Sequence, residues 1–403
     1  MGRVTNYVRL RRRPSASVGA RAAKALVWIV GTTTVGVLAL LILGALFPAV
    51  PAIGPVGSLA SGFVGWMSLI LLVATVATVA IAVRWRTRWR VAAAVVTTAV
   101  LVTAVTMTGT LIATGAQHGA SINPLAGMPT PSTWDEQVEY STFEGQSLTV
   151  TLWQPATTPA DADAPVAVFA HGGGWNSGSN DQDTSGLKRE MANRGWLVVS
   201  VNYTLATDTE PTWNIAEAQL GCAMIWAAAN ASHYGADISR LVLMGDSAGG
   251  NLAINAGSRA NAGTLDASCE GTVPQVAAIA TVYPGVDPYS LFDLAVPLQG
   301  HPGRDLITEY TGGTPDEFPE RYAAVASQTH ASAMMPPTLI VQGSNDQLVS
   351  ADGVRQYVEQ ARESGGTVDL VEIPYADHVF DRFSMGAQLY NQITLNWLEE
   401  RGL

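Results

Sequence analysis

Ser247 lies in the run Gly245-Asp246-Ser247-Ala248-Gly249-Gly250, after the apolar stretch Leu241-Val242-Leu243-Met244 and before a small-residue run that reads as a helix. A serine held between glycines at a strand-to-helix turn is lifted clear of the sheet edge. The small neighbours let the two backbones approach closely. A serine hydroxyl is a poor nucleophile at neutral pH. It needs a base to take its proton and a carboxylate to orient that base. Downstream, Asp346 follows the apolar run Thr338–Val341, and His378 follows Val368–Ile373. His378 is the only histidine beyond Asp346. Asp352 is a rival acid, but it suits a helix N-cap better. Asp377 is adjacent to the histidine, which disfavours it as the orienting group.

Acyl transfer through a serine also builds up an oxyanion, which preorganised donors must meet. His171-Gly172-Gly173-Gly174-Trp175 follows an apolar run, Val166–Ala170, and offers backbone N–H groups with no side chain in the way. Gly172, Gly173 and Ala248, the residue after the serine, are the expected oxyanion donors. His171 is expected to hold its loop rather than act as a second base.

These segments must be brought together by the fold. Val138–Trp153 alternates around Glu144-Gly145, as a hairpin does. From residue 165 onward, apolar runs alternate with helical patterns: Leu187–Asn193, Leu197–Val201, Trp213–Asn230, Val276–Val282, Thr338–Val341, a helix marked by Val354, Tyr357, Val358 and Ala361, then Val368–Ile373 and a helix from Phe383. Such alternation predicts a mostly parallel sheet with helices on both faces. Ligands bind beyond the carboxyl ends of such strands, which is where all the candidate residues fall. About fifty irregular residues, 285–335, are expected to form a lid or cap. Tyr289, Leu291, Phe292, Leu294, Val296 and Leu298 there read equally as an acyl pocket or as the core of a small cap.

The C-terminal two thirds resembles the α/β-hydrolase superfamily, and within it the esterase and lipase group related to hormone-sensitive lipase. The resemblance rests on HGGGW at 171–175, VNYTLA at 201–206, YGADISRLVLMGDSAGGNLA at 234–253 and YADHVF at 375–380, and covers roughly residues 138–403. It implies an α/β-hydrolase fold and a serine carboxylic-ester hydrolase with Ser247 as nucleophile, His378 as base and Asp346 as acid. It also implies that no metal or organic cofactor is needed. The chain departs from the family at Thr204, where Arg is common, and at Asn345-Asp346-Gln347-Leu348, where the acid usually precedes Pro-Leu.

The N-terminal part differs in kind. No Asp or Glu precedes Asp135, and 11 of the 22 Lys and Arg do, leaving 33 acidic residues against 11 basic ones in the remainder. That acidic balance argues against nucleic acid as a partner. Three apolar runs, 25–47, 62–83 and 91–113, are each long enough to cross a bilayer. Arg3, Arg9, Arg11, Arg12, Arg13, Arg21 and Lys24 precede the first, and Arg84, Trp85, Arg86, Arg88, Trp89 and Arg90 separate the second from the third. The loop at 48–61 has no Lys or Arg. The positive-inside rule then puts residues 1–24 and the Arg/Trp loop in the cytoplasm and everything past the third span outside, with membrane lipids as partners. A cleaved signal peptide is the competing reading of the first run, although the run is longer than the usual signal core. Residues 114–134 read as a linker and 135–403 as the catalytic domain. Cys222 and Cys269 form no C-x-x-C motif. They would pair in an oxidising compartment or stay as buried thiols.

The expectation from sequence is a membrane-anchored serine esterase or lipase. The alternatives are an amidase or peptidase with the same triad, and a non-catalytic binding protein on the same fold.

Overall fold

The computed structural model describes residues 18–156, 164–296 and 299–403. Three long helices come first: α1 (Val18–Leu46), α2 (Ala60–Arg84) and α3 (Arg88–Gln117). All three are long and apolar enough to cross a membrane. Helices α2 and α3 pack side by side, and hydroxyl pairs link them: Ser68 Oγ lies 3.1 Å from Thr108 Oγ1, and Thr78 Oγ1 lies 2.8 Å from Thr97 Oγ1. Such pairs satisfy polar groups between two apolar helices. The basic residues expected before the first span lie either outside the described residues or where only the backbone is described.

A hairpin follows, β1 (Glu136–Phe143) and β2 (Gln146–Trp153), then β3 (Ala164–Ala170), α4 (Leu187–Asn193), β4 (Leu197–Val201), α5 (Ala216–Asn230), β5 (Ala236–Asp246), α6 (Ser247–Ala262) and β6 (Ala278–Val282). Three short helices, α7 (Pro288–Asp293), α8 (Arg304–Thr311) and α9 (Pro319–Val325), lead to β7 (Thr338–Gly343), α10 (Ala351–Glu363), β8 (Val368–Ile373) and α11 (Ser384–Glu399). The eight strands form one sheet in the order β1-β2-β4-β3-β5-β6-β7-β8. Pairing is antiparallel from β1 through β2 to β4 and parallel across the rest. Every residue of β3, β4, β6 and β7 is buried. Covered faces explain why these strands read as continuous apolar runs rather than alternating ones. Neighbours still divide between two cores. Val166, Val168 and Ala170 belong to one, and Ala167 and Phe169 to the other, as the two-residue period requires. This is the α/β-hydrolase fold.

The second core runs without a break into the N-terminal helices. It contains Ile42, Val64, Met67 and Leu111 together with Met385, Leu389 and Ile393 of α11. The segment expected to be a linker is not loose. Helix α3 continues to Gln117, and residues 118–123 bind one face of α11. Gln388, Gln392 and Asn396, spaced one turn apart, reach the backbone of Asn123, Ser121 and His118.

Other expectations shift in instructive ways. Helix α5 starts at Ala216, not Trp213; the N–H groups of Thr212 and Trp213 donate to the Tyr310 carbonyl. Leu291 and Val296 are buried and Phe292 packs against the core that holds Leu291, whereas Tyr289 is exposed. Leu298 lies outside the described residues. Cys222 and Cys269 form a disulfide with Cα atoms 5.4 Å apart, joining α5 to the loop after α6.

Candidate active site

Register decides what meets what. Ala170 pairs with Gly245 across β3 and β5, so the HGGG loop and the Ser247 turn leave neighbouring strands at the same level. Gly343 pairs with Ile373 across β7 and β8, so Asp346 and His378 leave neighbouring strands a few residues beyond a common level. Parallel pairing thus collects the four loops at one sheet edge.

Helix α6 begins at Ser247 itself, earlier than the small-residue run suggests. Ser247 has φ of +52°, a left-handed value that a side-chain-bearing residue rarely adopts. Strain of that kind costs roughly 1–3 kcal/mol and is held only by surrounding structure. Here the close backbones hold it. A Cβ on Gly249 would lie 2.1 Å from the Ala170 carbonyl oxygen, so only glycine lets α6 cross so near β3.

His378 sits between the two other residues. Its Nε2 is 3.0 Å from Ser247 Oγ and its Nδ1 is 2.8 Å from Asp346 Oδ2. The Asp346 carboxylate is fixed by three further donors. Oδ1 accepts the N–H groups of Leu348 and Val349 at 2.9 and 2.8 Å, and Oδ2 accepts Gln342 Nε2 at 3.1 Å. Asp377 faces away from the imidazole. It accepts the N–H of His378 and both N–H and Nε2 of Gln347, so it ties the acid loop to the histidine loop. Asp352 is not the N-cap of α10; Ser350 is, accepting from Gly353 N at 3.2 Å. Asp352 pairs at the surface with Arg355.

The HGGG loop departs from expectation at one position. The Gly172 N–H donates to Asp246 Oδ1 at 2.9 Å, and a Cβ on Gly172 would lie 2.4 Å from Asp246 Oδ2. That N–H is therefore occupied and does not face an incoming oxyanion. The N–H groups of Gly173, Gly174 and Ala248 have no hydrogen-bond partner among the described residues. His171 is a loop holder. Its carbonyl accepts the Tyr203 hydroxyl at 2.7 Å, and the two rings stack at 4.4 Å. Ala206 N donates to the Trp175 carbonyl at 2.8 Å. The VNYTLA segment thus acts as a splint for the HGGGW loop.

Burial works to lower the pKa of His378, but the Asp346 carboxylate, with Asp377 and Asp246 farther off, more than offsets it, and the net value is above that of a free imidazole. The Tyr283 ring lies 4.4 Å from the imidazole, and its hydroxyl donates to Asp381 Oδ1 at 2.5 Å. Burial raises the Asp381 carboxyl to about 6. Sequence reasoning passed over both residues. The nearest signal was Asp381 lying three residues after His378 in the same loop. Behind the HGGG loop a polar cavity of about 30 Å³ is lined by Asp246, Asp381, Lys188 and Tyr390. It has room for roughly one water. Lys188 is buried there, its ammonium bonded to Gln182 O and Ser200 Oγ, and burial lowers its pKa to about 8. Among the described residues no cluster of metal-ligating side chains occurs.

Chemically, the arrangement can pass a proton from a serine hydroxyl to a neutral imidazole and hold the resulting imidazolium against a fixed carboxylate. Residues 152–360 match the BD-FAE family model. The chain belongs to the BD-FAE family. Its relatives include esterase LipC of Mycobacterium tuberculosis, 29% identical over 232 residues that make up 57% of this chain and 56% of that protein. Another is the probable carboxylic ester hydrolase LipM of the same organism, 27% identical over 61% of this chain and 56% of that protein. The chain thus spans about half the length of the curated relatives it matches. The apo form of Thermogutta terrifontis esterase 2 superposes with a TM-score of 0.53 at 25% identity, covering 69% of this chain and 96% of that one.

Proposed function

We propose that this BD-FAE protein is a membrane-anchored serine carboxylic-ester hydrolase of the esterase and lipase type. The observation that carries the reading is His378, bonded at once to Ser247 and Asp346. Ser247 Oγ attacks the acyl carbon while His378 Nε2 takes its proton. The tetrahedral oxyanion is met by the N–H groups of Gly173, Gly174 and Ala248. The imidazolium, steadied by Asp346, returns the proton to the leaving alcohol. Water then attacks the acyl-enzyme by the same route in reverse, releasing the acid and regenerating the serine. No metal or organic cofactor is needed for these steps.

The names of the similar proteins favour esters over amides. The three apolar helices support an anchor, and the Arg/Trp loop between α2 and α3 supports an orientation with that loop in the cytoplasm and the catalytic domain outside. The deciding experiment uses the full-length protein and nitrophenyl esters of graded acyl length. Turnover that disappears in Ser247→Ala, with fluorophosphonate labelling of the wild type only, is the expected outcome. A folded wild type that neither turns over any ester nor takes the label would overturn the reading.

A further inference from the structure

About 20 helical residues cross the roughly 30 Å of a hydrocarbon core. Counted along α2 from Arg84, that length ends near Val64. The contacts between α2 and the catalytic domain sit at this level. Trp66 Nε1 donates to the Ala126 carbonyl at 2.9 Å, and Ser384 Oγ donates to the same oxygen at 2.8 Å. The Phe63 ring lies 5.5 Å from that of Phe383, five residues after His378. At the outer end of α1, the Ala45 carbonyl accepts Asn345 Nδ2 at 2.7 Å, one residue before Asp346. The loops that carry the acid and the base therefore rest on the outer ends of the spans, level with lipid headgroups.

Several large apolar side chains are exposed around these contacts, interspersed with the polar Ser121 and Asn123. Leu125 is 42% exposed and Met128 51% exposed, on either side of the carbonyl that binds Trp66. Trp66 itself is 41% exposed, and tryptophan concentrates at the membrane–water interface. Phe47 and Leu59 are exposed in the loop that joins α1 to α2.

We infer that the substrate is resident in the bilayer: the site takes acyl esters of lipids whose carbonyl lies at headgroup level, and Leu125 and Met128 seat the domain in that leaflet. This rests on the esterase reading. It adds that the ester arrives laterally, from the membrane, and not from bulk water. In glycerolipids the ester groups lie at the boundary between headgroups and hydrocarbon, where the two catalytic loops are held.

The test uses the full chain in vesicles of non-hydrolysable ether lipid carrying a fluorogenic long-chain glycerol ester, beside a soluble butyrate ester. At fixed bulk ester, the vesicle rate is expected to fall in proportion as the ester is diluted with ether lipid. Leu125→Asp with Met128→Asp is expected to lower the vesicle rate about tenfold and leave the soluble rate within twofold. A vesicle rate that follows bulk concentration alone, or a wild type that cleaves only the soluble ester, overturns the inference and leaves the esterase reading standing. If the double variant loses both rates together it has misfolded, and the wild-type dilution series decides. A wild type inert on both esters and unlabelled at Ser247 removes the reading beneath.

Discussion

Asn345 Nδ2 donates to the Ala45 carbonyl across a sequence separation of 300 residues, and the residue after Asn345 is Asp346. The end of the first apolar helix thus holds the acid loop directly. A neutral hydrogen bond of this kind contributes about 1 kcal/mol. Asn345→Ala is expected to lower kcat on a soluble ester roughly three- to tenfold with little change in KM, because the acid loop loses its outer support. Steady-state kinetics on the full-length protein check this. An unchanged kcat would mean that the loop's other bonds, those to Asp377 and within the loop, hold it without Asn345.

The two carboxylates near His378 differ in task, and substitution should separate them. Asp346→Asn keeps the shape but loses the charge that steadies the imidazolium, and kcat is expected to drop by about 10³–10⁴. Asp377→Asn removes a brace between loops and is expected to cost only about tenfold, with a lower melting temperature. Equal losses in the two variants would contradict the geometry.

The raised pKa of His378 fixes the direction of the pH dependence. Only neutral imidazole can take the Ser247 proton, so kcat/KM should rise with pH through an apparent pKa above the 6.5 of a free imidazole. In Asp346→Asn that acid limb should move to lower pH, since the chief opposing charge is gone. A limb that stays in place would assign it to another group.

Asp381 offers a stability test with the opposite sign from most carboxylates. Its folded pKa, about 6, lies above the 3.8 of a free carboxyl, so the folded state binds the proton more tightly and loses stability as pH rises between those values. Asp381→Asn keeps an acceptor for the Tyr283 hydroxyl without the buried charge. It is expected to stabilise the fold by up to about 3 kcal/mol at pH 8, raising the melting temperature there, and to change little at pH 4. Thermal melts of both proteins at the two pH values decide it.

The disulfide closes a sequence separation of 47 residues. Removing such a cross-link costs about 4 kcal/mol. Cys222→Ser with Cys269→Ser is expected to lower the melting temperature by several degrees while leaving kcat near wild type at room temperature, since neither residue touches the site.

The grouping of Ser247, Asp346 and His378 was legible because each follows an apolar run that becomes a parallel strand, and parallel strands deliver their following loops to one edge. The Gly172 donor was not legible in the same way. Whether its N–H faces the site depends on Asp246 turning back across the register, and spacing cannot express that. The segment 285–335 was ambiguous for a related reason. Leu291 would look the same in sequence whether it faced a pocket or a core, and only the structure puts it in one core with Tyr322 and Ile307. The pairing of Cys222 with Cys269 and the contact of Asn345 with Ala45 depend on distant segments meeting, for which no local pattern exists.

The way α11 seals both the sheet and the apolar helices has a consequence for the order of assembly. Ser121 waits for Gln392 across 271 residues of chain. A ribosome makes α1, α2 and α3 well before the face of α11 that buries their ends. Until α11 emerges, Ala120, Ile122 and the outer turns of α2 and α3 lack the partner that completes their core. Closure over so long a separation is slow compared with local folding. Truncations within α11 should therefore be cleared as unfinished protein even though Ser247, Asp346 and His378 have already been made.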